Sequence, residues 1–113
     1  MERGDIIAAL LADGPCATAV YMHAADEVEL LREERDDAMR EIGYAVGMDA
    51  DDLDALTRQL RLAEATGLGI STASRLAVAG ALRTLAYARD SAWSELERRD
   101  ALEHEAARRG GMS

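Results

Sequence analysis

Aromatic side chains are almost missing from this chain, which has no Phe, one Trp and three Tyr. Its 49% hydrophobic content is therefore mostly Ala and Leu, enough for a core but suited to thin, close-packed helices rather than a sheet sandwich. Proline occurs once, in Asp13-Gly14-Pro15, a strong turn signal. The single cysteine, Cys16, excludes an internal disulfide and fits a reducing cytoplasm. No apolar run approaches the roughly eighteen residues needed to span a bilayer. Ile6 to Ala12 is flanked by Glu2, Asp5 and Asp13, a poor signal peptide. Ala17-Thr18-Ala19 looks like a cleavage site without a basic region before it, and Asp13-Gly14-Pro15 ahead of Cys16 is no lipoprotein box. A cytoplasmic protein with no membrane partner is expected. Lysine is absent and all thirteen basic residues are Arg, which reads as GC-rich coding bias rather than chemistry.

The formal net charge of −9 argues at first against nucleic acid, because phosphate neutralisation supplies most non-specific affinity. Its distribution says more. Residues 1–56 hold fifteen acids against four Arg, whereas residues 57–90 hold Arg58, Arg61, Arg75, Arg83 and Arg89 against Glu64 and Asp90. Residues 91–113 are nearly balanced, with five acids and four Arg. The one basic window either forms a modest DNA footprint or pairs with the acidic first half, within or between subunits.

Periodicity predicts an all-α bundle in a single domain. A short helix over about Gly4–Ala12 stops at the Asp13-Gly14-Pro15 turn. A long amphipathic helix over 17–46 carries Tyr21, Ala24, Val28, Leu31, Arg35, Ala38, Ile42 and Ala45 at spacings of three and four, with Arg35 interrupting the stripe and Gly47 ending it. Glu33, Glu34, Asp36, Asp37 and Arg40 form its wet face. Asp49-Ala50-Asp51-Asp52 starts the next helix, whose inward stripe is Leu53, Leu56, Leu60 and Ala63. Residues 51–82 then read as a helical hairpin and 83–108 as a C-terminal helical extension. Ala73, Leu76, Ala77, Ala81, Leu82 and Leu85 suggest a wide buried face, and Gly80 a close helix crossing. Ser94-Glu95-Leu96-Glu97 could open a separate helix, but no Gly or Pro lies between Ala81 and Arg109, which favours one continuous helix. Residues 108–113 are expected to fray.

Within the hairpin, Ala63 stands four residues before Gly67, Leu68 follows, and Ser71-Thr72-Ala73-Ser74-Arg75-Leu76 opens the next helix. A small Ala63 permits close crossing, Gly67 supplies the positive φ that ends a helix, and Leu68 and Leu76 are expected to fill the core between the two helices. Over about residues 57–82 this resembles the helix-turn-helix of the lac-repressor type and the small helix-turn-helix proteins of high-GC actinobacteria and their phages. The resemblance implies a transcriptional regulator that reads duplex DNA through Ile70, Ser71, Ser74 and Arg75, with Arg58 and Arg61 approaching the backbone. Two positions depart from the family: Gly69 stands where it places a Ser or Thr cap, and Ala73 where it buries Val or Ile. Ser71 is then the cap, starting the helix late.

Catalytic chemistry is not expected. Cys16 and His23 are seven residues apart with nothing around them that makes a nucleophile and base. His104 lies between Glu103 and Glu105 without metal-ligand spacing. Asp49, Asp51, Asp52 and Asp54 fail as a calcium loop, since Leu53, Asp54 and Leu60 occupy places that need a ligand, a Gly and a Glu. Gly67-Leu68-Gly69 lacks the third glycine of a dinucleotide site. No cofactor or metal is implied.

Two readings stand. In one, the chain is a dimeric DNA-binding regulator. In the other, it is an all-helical interaction or assembly protein, such as a phage structural component or adaptor, without DNA binding. A helix of about forty residues would extend about 60 Å, so its far half is expected to serve dimerisation or partner docking, with the acidic long helix, Leu31 in its apolar seam, and the Trp93 to Ala106 segment as the surfaces that pack in a homo-oligomer.

Overall fold

A computed structural model describes residues 1–110 and is all-helical: α1 (Arg3–Leu11), α2 (Thr18–Glu41), α3 (Ala50–Thr66) and α4 (Thr72–Gly110). Gly111–Ser113, half of the expected frayed tail, lie outside the described residues, and 108–110 are helical. Among the described residues no helix is long and apolar enough to cross a membrane.

α2 is the central element, with α4 and α3 packed on it while those two touch each other little. Ion pairs give the directions. Arg32 bonds Asp54 and Arg61 bonds Asp26, so α3 runs antiparallel to α2. Arg89 bonds Glu34 and Arg99 donates to the Ile42 carbonyl, so α4 runs parallel to α2. α1 lies across the start of both α2 and α4. At 1.5 Å per residue, α4 is about 58 Å long, nearly the whole 67 Å length of the molecule.

The core is a ladder of aliphatic side chains. Tyr21, Ala24, Val28 and Leu31 of α2 meet Leu53, Leu60 and Ala63 of α3, Val78, Leu82 and Leu85 of α4, and Ile6 and Leu10 of α1. Each fully buried Leu or Val contributes about 1.5–3 kcal/mol relative to exposure. Of the stripes expected on α2 and α3, Tyr21 through Ala38 and Leu53, Leu60 and Ala63 are buried, Ile42 and Leu56 are half-buried and Ala45 is exposed, while α4 is unbroken through Ser94. The α4 face differs from expectation. Val78, Ala79, Leu82, Leu85 and Ala86 point inward, whereas Ala73, Leu76 and Ala77 are exposed. A segment so rich in Ala is apolar all round, so the face is set by where Val and Leu can fill space against α2. Gly80 lies on the exposed side with nothing within 4 Å of a built Cβ, so it serves no close crossing.

α2 also ends earlier than expected, at Glu41 rather than about Val46. Gly43, at φ +89°, is the reason. Its N–H donates to the Arg40 carbonyl and that of Tyr44 to Met39, closing the helix in a Schellman turn. Ala45 and Val46, which continue the apolar pattern, belong to the connection over 42–49.

Candidate interaction surface

The arginines of the basic window are spent largely inside the fold. Arg61 donates to Asp26 (2.6 Å) and Glu29 (3.2 Å) of α2. Arg89 bonds Glu34 of α2 and Asp90 and stacks 4.4 Å over the Trp93 ring. Burial works against its charge, but the hydrogen bonds to Asp90 and Glu34 hold its pKa above the ordinary value. Arg75 makes four hydrogen bonds to the end of α1, from Nε to Leu10 (2.9 Å) and from its terminal nitrogens to Ala9, Ala12 and Gly14. These carbonyls have no helical partner at a C-terminus, and the cation sits where the helix dipole is negative. Only Arg58 and Arg83 in this window are exposed without an ion pair or hydrogen bond among the described residues.

The six residues singled out for DNA therefore do not form one open face. Arg58 is exposed on α3, Arg61 is tied to α2, and Arg75 is turned onto α1. Ile70 is half-buried against the core. Ser71 is the cap of α4, accepting from the Ser74 N–H at 3.1 Å, while its own hydroxyl donates to that of Ser74. Gly67 ends α3 in the left-handed region at φ +70°, as its spacing predicts. Leu68 and Leu76, expected between the two helices, are 69% and 55% exposed. With α3 and α4 each packed on α2, no core forms between them for these leucines to fill.

Arg35, the interruption in the α2 stripe, is buried and holds the α2–α3 connection in place. Its guanidinium grips both carboxylate oxygens of Asp49 (2.6 and 2.9 Å) and bonds Asp36 at 2.9 Å. The hydrogen bond from Arg35 holds the Asp49 carboxyl below its ordinary pKa against the effect of burial. Cys16, weighed as a nucleophile, donates its thiol to the Ala9 carbonyl at 3.2 Å. Among the described residues no group of His, Cys, Asp or Glu is arranged to hold a metal.

Exposed apolar side chains occur at the α3–α4 turn, with Leu62 and Leu68 beside a shallow hollow, and at the other end, where α2 stops and α4 continues. Tyr44 is exposed there and so is Met48 at 94%, while Tyr87 and Trp93 are exposed on α4 where it runs alongside α2. Met39, Ile42, Tyr44, Ala88 and Ala92 line a groove between the end of α2 and α4. A second hollow, shared through Met39 and Ala88, runs under Val46 and Met48. Periodicity points to Trp93–Ala106 as free for a partner but not to the groove, which exists only because Gly43 turns the chain. No family model matches this chain, and neither a curated protein nor a solved structure is found similar to it.

Proposed function

We propose that this chain is a helical protein–protein interaction module, an adaptor or assembly protein without a catalytic role. The observation that carries the reading is the apolar groove between the end of α2 and α4, with Tyr44 exposed on its lining and Met48 exposed on the adjoining hollow, in a chain poor in such residues. Aromatic and Met side chains supply much of the binding energy at protein interfaces, and contiguous exposed apolar surface marks such sites.

Energetics weigh against the duplex-DNA reading. Turning Arg75 to a base edge or phosphate would give up four hydrogen bonds; the exposed carbonyls of Ala12 and Gly14 would take up water, while the partly buried bonds to Leu10 and Ala9 cost about 1–3 kcal/mol each if left unsatisfied. A good bidentate base contact returns about 1–3 kcal/mol in all. Arg61 would likewise have to leave two carboxylates.

The test is selection from random duplex DNA at about 0.1 M salt, beside capture of proteins on the immobilised chain and on its Tyr44→Ser/Met48→Ser form. The expected result is no enriched sequence and a captured protein lost with the double variant. An enriched palindrome with half-sites one helical turn apart would overturn the reading in favour of a dimeric regulator.

A further inference from the structure

Beyond the end of α2, α4 continues alone. Every residue from Glu97 to Gly110 is exposed, a stretch of four turns or about 21 Å. A helix of this length tied down only by the bond from Arg99 to the Ile42 carbonyl is marginal by itself, since helical stability in proteins comes mostly from packing. The inner side of this overhang, which faces α2 higher up, lies against nothing. Leu96, Glu97, Asp100 and Glu103 line a hollow there together with Glu41 from the end of α2. The groove of Met39, Ile42, Tyr44, Ala88 and Ala92 meets it at the neighbouring pairs Glu41–Ile42 and Glu95–Leu96, so the two form a shelf with an apolar floor and an acidic wall, with Arg108 and Arg109 farther along the other flank of Glu97 and Asp100.

The charges fix the chemistry of what fits. Glu41, Glu97, Asp100 and Glu103 have no ion-pair partner among the described residues. The single cation in the hollow, Arg99, is already committed to Glu95 and to the Ile42 carbonyl at the end of α2. A second copy of this chain is a poor occupant, because it is itself acidic, at net −9. Resting on the interaction reading above, we propose that the shelf receives an amphipathic helix of a different protein, about four turns long. Its apolar stripe lies on Tyr44 and Met48, and its Lys or Arg side chains meet Glu41, Glu97, Asp100 and Glu103. Such a helix takes the position beside α4 that α2 occupies higher up.

The experiment uses two synthetic probes on the full chain, a helical Leu/Lys peptide of about fifteen residues and its Leu/Glu counterpart with the same apolar stripe. Binding is followed by anisotropy of the labelled peptide, with light scattering on the same samples. The Leu/Lys peptide should bind one per chain and the Leu/Glu peptide should not. Tyr44→Ser/Met48→Ser and Glu97→Gln/Asp100→Asn/Glu103→Gln should each weaken binding by about tenfold or more, while Leu68→Ser at the far end should not. Raising salt from about 0.1 M to about 1 M shortens the Debye length from about 10 to about 3 Å and should weaken it further. All these positions are exposed, so circular dichroism should report native helix in every variant. Equal loss in the Leu68→Ser chain, no loss in the shelf variants, or equal binding of the two peptides would overturn the proposal. A chain that forms an oligomer dissociated by Tyr44→Ser/Met48→Ser would overturn the basic-helix partner while leaving the interaction reading in place.

Discussion

Arg75 donates through Nε to the carbonyl of Leu10 at 2.9 Å, across 65 residues of chain. That bond, with its companions to Ala9, Ala12 and Gly14, joins the first turn of the longest helix to the last turn of the shortest one. The residue with the strongest claim to a DNA contact is thereby an anchor for α1. Arg99 repeats the arrangement at the end of α2 through Ile42.

Arg75→Ala should therefore cost stability, by about 1–3 kcal/mol, carried by the partly buried bonds to Leu10 and Ala9, since water can replace those to Ala12 and Gly14. Arg75→Lys should recover only part of this, because an ammonium cannot span carbonyls as the planar guanidinium does. Urea unfolding measures the loss, and amide exchange should show it concentrated in α1. An Arg75→Ala chain as stable as the parent would mean that α1 is not held this way.

The pairing of Arg35 with Asp49 makes stability depend on acid. The folded carboxyl titrates below its unfolded value, so its contribution is present above the ordinary carboxylate pKa of about 3.9 and fades as pH falls through the lower folded value. Asp49→Asn should lower stability at pH 7 by about 1–2 kcal/mol, kept modest by solvent around the pair. The gap between variant and parent should narrow below about pH 4. Thermal unfolding from pH 7 to pH 2 checks the sign, and a gap that widens on acidification would contradict it.

Glycine changes should act in opposite directions at two positions. Gly80 lies in the exposed interior of α4 with open space around a built Cβ, so Gly80→Ala should stabilise by about 0.5–1 kcal/mol. Gly43 sits at φ +89°, where a side chain is strained, so Gly43→Ala should destabilise by about 1 kcal/mol. Urea midpoints for the two chains should move to opposite sides of the parent.

Much of the fold was legible because it depended on local rules. The long α4 follows from the absence of Gly and Pro over 82–108, the end of α3 from Gly67, and the start of α4 from a serine that can reach its third backbone N–H. The rest depended on distant partners. Gly43 and Gly47 both adopt positive φ, and an apolar Ala45-Val46 between them hides which one ends the helix. Arg75 looks outward on any local reading, because its acceptors lie more than sixty residues away. Arg61 and Arg89 make up a basic window only in one dimension. In three they lie against Asp26, Glu29 and Glu34. The acidic first half is to that extent the counter-charge of the basic window within the same chain.

Leu31 separates folding from assembly. A stripe as long as that of α2 suggests a seam between subunits, and a charge placed in it would then dissociate an oligomer. Leu31 is instead 0% exposed within the chain's own core, in one cluster with Leu60 of α3 and Leu82 of α4. Leu31→Glu should therefore unfold the protein, since burying an unpaired carboxylate costs far more than one domain can spare. Leu31→Ala should cost about 2–5 kcal/mol through the cavity it leaves. Circular dichroism should show lost helix for the first and a lowered midpoint for the second, with the mass of any folded fraction unchanged in light scattering. A Leu31→Glu chain that stayed helical and merely became smaller in mass would move the seam of α2 from the core of one chain to the boundary between two.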